Sequence, residues 1–271
     1  MEVASGAVPV PRLAAAADWA LSQGIASLTT GQIAELWKIP RDHVPSRMRA
    51  PKGRGEWISP ARGLWVPVLP EFRARSGVPA IEFIDPMMRF LGIEKYYVGW
   101  LMAASLYGAA HHAPQVTQVA VPRVIRDKTV GDSRIEFYAR SAIGTLPVVE
   151  RQGRWGRFYI STPEVTALDI AANIRLAGGL SNAATVMVDL VEVVGLDEGE
   201  ICAVLPHFPV AAVQRLGWVL ETFTSVRLDE LARYVNPMLP TNPTLLHPAL
   251  AGRGQTDKRW RILVNGQVDL E

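Results

Sequence analysis

Apolar residues recur at helical spacing from the first segment of the chain. Over Arg12–Gln23 they fall at Leu13, Ala16, Ala17, Ala20 and Leu21, which predicts a helix, and Gly24 is placed to stop it. Thr29 and Gln32 stand in the S/T-x-x-E/Q relation of a capping box, which satisfies free N–H groups at a helix start. The helix they open covers Thr30–Trp37 and buries Ile33, Leu36 and Trp37. Lys38-Ile39-Pro40 is a short turn, because Pro40 has no N–H and does not continue a helix. A second short helix is expected within Arg41–Ala50. Pro45 sets its start, with Asp42 as cap or Pro45 itself at the first helical position, since a proline past the first turn costs about 3 kcal/mol. Pro51 ends it, and Arg41 and His43 fall in the turn before it. Glu56–Ser59 and Gly63–Val68 are β-prone runs about Pro60-Ala61-Arg62, a hairpin with Gly63 closing its turn.

Further along, helical patterns cover about 80–91 and 97–110, and Val116–Pro122 and Arg134–Arg140 alternate as strands. Pro147–Glu150 and Arg157–Ile160 read as two more strands, divided by Gln152-Gly153-Arg154-Trp155-Gly156. Ser161-Thr162-Pro163-Glu164 is a helix start, a capping-box pair with Pro in the first turn, for a helix reaching about Leu176. Helices follow at about 182–194, 197–205, 210–221 and 228–238, then a short strand at Trp260–Val264. A small sheet flanked by many helices is an α/β (α+β) fold. The polar stretch Arg73–Pro79 divides the chain into domains 1–75 and 76–271.

The formal charge of +2 hides an asymmetry. Residues 1–75 hold ten Lys and Arg against six Asp and Glu, a balance of +4, which leaves −2 for 76–271. Over 38–62 seven basic residues face only Asp42 and Glu56. A basic head on a mildly acidic body suggests two domains with different partners. The single cysteine, Cys202, excludes an intrachain disulfide and fits a cytoplasmic chain. Glu2 stands where a signal peptide needs a basic residue, so no leader is expected. The most apolar stretch, Tyr96–Ala110, falls short of the ~20 residues of a membrane span.

Helix, helix, basic helix and hairpin is the order of a winged helix-turn-helix, whose second helix enters the major groove of double-stranded DNA. Arg41, His43, Ser46, Arg47 and Arg49 are the candidates on or beside that helix, with Ser46, Arg47 and Arg49 toward the groove. Lys52 and Arg54 in the basic link and Arg62 at the wing tip are candidates for phosphate contacts. A helical cap with a hairpin and no ligand remains open. Trp37, Trp57 and Trp65 fit core positions better than base-stacking ones. There is no phosphate-binding G-x-x-x-x-G-K-[ST], no H-E-x-x-H and no G-x-S-x-G, and no cofactor or metal is expected. No acid, base and nucleophile assemble, so an enzyme is not expected. Two alternatives stay open: a nucleic-acid-processing enzyme with a winged-helix targeting module, and a purely protein-binding module.

Four segments resemble the AbiE-type antitoxins (the AbiEi family) of type IV toxin–antitoxin systems. They are Leu28–Leu36, Ala61–Val66, the run Ile160-Ser161-Thr162-Pro163-Glu164-Val165-Thr166-Ala167-Leu168-Asp169, and the closing Arg259-Trp260-Arg261-Ile262-Leu263-Val264-Asn265. The last two are the more specific. The resemblance implies an N-terminal winged helix that binds an inverted-repeat operator in its own promoter. It also implies a larger C-terminal domain that shares in repression and neutralises a toxin with a nucleotidyltransferase fold. Pro45 departs from the pattern expected of a recognition helix.

Overall fold

The computed structural model describes residues 10–73, 77–154 and 156–270. The domain boundary expected around 74–76, and Trp155 in the expected connection, lie outside the described residues. The fold is α+β and divides into two compact units. One comprises 1–94, 126–136 and 151–158; the other comprises 95–125, 137–150 and 159–271.

The first unit begins with α1 (Ala16–Ser22), β1 (Leu28–Thr29) and α2 (Thr30–Trp37). The capping box forms as expected. The Gln32 N–H donates to Thr29 Oγ1 at 3.2 Å, and the Thr29 N–H donates to Gln32 Oε1 at 2.8 Å. Thr29→Ala removes one half of this exchange and is expected to cost about 1 kcal/mol, read from urea unfolding. After Pro40, a 3-10 turn at Arg41–His43 leads into α3 (Val44–Arg47) and α4 (Arg49–Gly53). Pro45 lies in the first turn of α3, where its missing N–H has no helical partner to lose.

Pro51 does not end the helical path. The backbone breaks at Met48 instead, so Pro51 falls in the first turn of α4 and the path reaches Gly53. Val44, Met48 and Pro51 repeat at i, i+4 and i+7, and this stripe is buried. Val44 and Met48 pack with Ala16, Ala17 and Ala20 of α1, Ile33 of α2, and Trp57 and Trp65.

Strands β2 (Trp57–Ala61) and β3 (Leu64–Pro67) form the hairpin, and the three-stranded sheet has the order β1-β3-β2. The turn is tighter than expected. Ala61 pairs with Leu64, which leaves Arg62-Gly63 as the loop, and the register shifts between Ile58 and Ala61. Pro60, which cannot donate to a ladder, sits at that irregularity. Gly63 has φ 93, a conformation that suits glycine. The segment closes with α5 (Pro70–Arg73) and α6 (Ile84–Phe90).

The chain continues through β4 (Tyr97–Val98), α7 (Trp100–Leu106), β5 (Val116–Val121), β6 (Lys128–Val130) and β7 (Ser133–Ala139). Strands β8 (Val148–Gly153) and β9 (Gly156–Ser161) follow, and the six-stranded mixed sheet runs β6-β7-β5-β4-β9-β8. Periodicity placed Tyr97 and Val98 in a helix; they form a buried strand, antiparallel to β5 and parallel to β9. A short apolar run buried on every side looks the same to either period.

The remaining helices are α8 (Pro163–Ala172), α9 (Leu180–Asp189), α10 (Glu198–Val204), α11 (Val210–Phe223) and α12 (Asp229–Val235). The cap of α8 is Thr162, whose hydroxyl accepts from the Val165 N–H, while Ser161 ends β9. Residues Val165–Ala171 are all buried, so α8 is the central helix of the second unit. Leu216, Val219 and Leu220 of α11 and Ala183, Val186 and Met187 of α9 share its core. A small sheet of β10 (Thr244–Leu245), β11 (Gln255–Asp257) and β12 (Ile262–Val264) closes the unit, in the order β10-β12-β11. Among the described residues no helix is long and apolar enough to cross a membrane.

Candidate nucleic-acid interface

The buried stripe of Val44, Met48 and Pro51 turns the rest of the 41–53 path outward. Arg41, His43, Ser46, Arg47, Arg49, Lys52 and Arg54 are all exposed, and so is Arg62. Arg41 and His43 occupy the 3-10 turn before α3, as the proline positions imply. The Ser46 hydroxyl donates to the His43 carbonyl at 2.7 Å, and His43 Nε2 lies 3.8 Å from Asp42. Arg62 projects from the two-residue turn of the hairpin.

The structure brings Arg41 and Arg62 to one place. With Thr30, Pro45, Ser59 and Trp65 they line a groove of about 910 Å³ between the helical path and the hairpin. Lys52 and Arg54 are not part of its lining. Arg54 is held in a forked pair with Glu56, at 2.7 and 2.9 Å, so its charge is largely matched within the protein. Trp57 and Trp65 are buried in the core, and the indole N–H of Trp65 donates to Thr30 Oγ1 at 3.1 Å. Trp37 is half-buried and donates to the Pro11 carbonyl at 2.8 Å.

The second unit holds a polar cluster at its centre. Asp169 on α8 is buried and paired with Arg140. The Tyr97 hydroxyl donates to Asp169 Oδ2 at 2.8 Å and accepts from Arg140 Nη1 at 2.7 Å. Arg140 also donates to the His207 carbonyl at 3.3 Å and stacks over the Phe208 ring at 4.2 Å. Burial pushes the Asp169 carboxyl up to about 6 against the pull of the Arg140 guanidinium, and raises the Tyr97 hydroxyl as well. The signal in the sequence is one acid inside the run Val165–Ala172, which is apolar but for Thr166, a position that demands a buried cationic partner.

His111 and Cys202 have ordinary surroundings. His111 pairs with Asp189 at 3.1 Å. Cys202 is half-buried, and burial with Glu230 and Glu198 nearby raises its thiol. Among the described residues no group of three His, Cys, Asp or Glu side chains is placed to hold a metal ion.

The crystal structure of the RV2827C protein from Mycobacterium tuberculosis has a similar fold, with a TM-score of 0.68 at 15% identity over 93% of this chain and 91% of that one. No curated protein matches the chain. The AbiEi antitoxin C-terminal domain family matches residues 97–222, a span that holds Tyr97, Arg140 and Asp169.

Proposed function

We propose that the chain is a DNA-binding transcriptional repressor and the antitoxin of a type IV toxin–antitoxin pair, acting in the cytoplasm without a cofactor. The observation that carries the antitoxin half is the family match over 97–222. The partner of that domain is a nucleotidyltransferase-like toxin. Residues 1–75 act as the winged helix-turn-helix, binding an inverted-repeat operator in double-stranded DNA and so autoregulating the operon. This half is supported by the order of helix, helix, helical path and hairpin, and by the outward face of the basic residues. Ser46, Arg47 and Arg49 meet base edges, while Arg41, Lys52 and Arg62 meet phosphates. Arg54 reaches a phosphate only by loosening its pair with Glu56.

Titration of the full chain with duplex from its own upstream region tests this reading. With about five phosphates neutralised, log K is expected to fall against log[salt] with a slope of roughly −4 to −5. Arg62→Ala is expected to weaken operator and random duplex alike and to make the slope shallower by about 1. A slope near zero for the wild-type chain overturns DNA binding. Loss of specificity alone in Arg62→Ala overturns the phosphate role.

A further inference from the structure

The first unit contains a second basic hairpin that the N-terminal sequence does not supply. Residues 151–158, the outer part of the β8–β9 hairpin, group with 1–94. This segment carries Arg151, Arg154 and Arg157 and no acid. All three arginines are exposed. Arg154 pairs with Glu71 on α5 and lies 5.6 Å from the centre of the Phe72 ring, which ties the hairpin tip to α5. Arg157 lines a second groove, of about 710 Å³, with Thr29, Leu64, Arg89, Phe90 and Gln152.

This groove lies against the one that holds Arg41 and Arg62. The first groove is walled by Thr30 and Gly63, the second by their chain neighbours Thr29 and Leu64. Phe90 stands at the junction, with its ring 3.6 Å from the point a Cβ on Gly63 would occupy. Arg41 and Arg62 on one side of this ridge and Arg89 and Arg157 on the other, against Asp42 and Asp85 in the same linings, therefore mark a path of net positive charge across a single unit. A linear polyanion with regularly spaced charges matches such a path. Arg89 is held by Asp85 at 2.7 Å; its guanidinium is exposed while the carboxylate is largely buried, so Arg89 reaches a phosphate by loosening that pair.

We propose that Arg89 and Arg157 form a second phosphate-contacting track, which holds the backbone of the DNA duplex beyond the segment reached by the wing. The proposal rests on the DNA-binding reading above and extends the footprint to residues outside 1–75. The partner is duplex DNA, and a phosphate contact of this kind is independent of sequence.

The test uses the full chain and duplex from its own upstream region, read by fluorescence anisotropy across salt and by hydroxyl-radical footprinting. The Arg89→Ala/Arg157→Ala double variant is expected to bind about ten-fold more weakly at low salt, with a slope shallower by about 2. Its footprint is expected to shorten at the outer phosphates while protection at the centre persists. Asp85→Asn releases Arg89 and is expected to tighten binding two- to five-fold, a gain that a misfolded variant does not produce. Wild-type slope and footprint in the double variant, with binding lost in Arg41→Ala/Arg62→Ala, overturn the track and leave the DNA-binding reading standing. Absence of duplex binding by the wild-type chain overturns both. Equal losses on single-stranded polynucleotide of the same length overturn the assignment to duplex.

Discussion

Asp169→Ala is expected to destabilise the second unit by about 3–5 kcal/mol, the cost of leaving a buried charge without its partner. The variant strips Arg140 of its counter-charge and Tyr97 of its acceptor in one step. Burial has already pushed the Asp169 carboxyl up to about 6, so the pair itself is costly to hold inside and its removal as a pair is tolerated better than its division. Arg140→Leu combined with Asp169→Ala is therefore expected to recover part of the loss. Urea unfolding of the wild-type chain, the two single variants and the double variant measures the coupling, and a double variant as damaged as the sum of the single ones contradicts it. The same group has a pH signature of definite sign. Folded Asp169 holds its proton more tightly than the unfolded chain does, so its contribution to stability rises as pH falls from about 6 toward 4. Asp169→Asn is expected to remove that limb from the stability–pH profile.

Trp260→Ala is expected to cost about 3–5 kcal/mol, the range for deleting a buried indole. Trp260 is 1% exposed. Its ring packs so closely on α11 that a Cβ added at Gly217 would overlap it. The indole N–H donates to Glu221 Oε2 at 2.9 Å, and the Trp260 carbonyl accepts from Gln214 Nε2 at 2.8 Å. Glycine in the middle of a helix gives up about 1 kcal/mol against alanine, and here the ring takes the space that the methyl group would need. Gly217→Ala in the wild-type chain is consequently expected to destabilise, although alanine favours the helix. In the Trp260→Ala background the same change is expected to stabilise by up to about 1 kcal/mol. The reversal of sign is the measurement that separates a steric cause from a loss of backbone freedom, and thermal unfolding of the four chains reads it.

Local chemistry made much of the fold legible. Thr29 and Gln32 define the start of α2 because a capping box is complete within four residues. Pro45 places the start of the 41–53 helical path because proline restricts its own neighbourhood. Pro51 misled in the opposite direction, since the break at Met48 that accommodates it depends on Val44 and Met48 both finding the core. Tyr97 and Val98 misled for a related reason: their pairing with β5 and β9 is non-local and leaves no periodic trace in so short a run. The short strands β6, β10 and β11 were missed because two or three residues carry too little pattern to read.

The candidate site divides along the same line. By itself the sequence determined which residues bear the charge, that six Lys and Arg gather between Arg41 and Arg62, and that the segments at Ile160–Asp169 and Arg259–Asn265 resemble those of an antitoxin family. Those properties are compositional or local, and a folded chain cannot alter them. The tertiary structure alone decided which charges stand together. It set Arg41 beside Arg62, matched Arg54 with Glu56, brought Arg157 to the first unit, and seated Asp169 against Arg140 and Tyr97. Each of the distant pairings joins residues at least twenty positions apart, and the core that buries Val44, Met48, Leu168 and Trp260 is what holds them together.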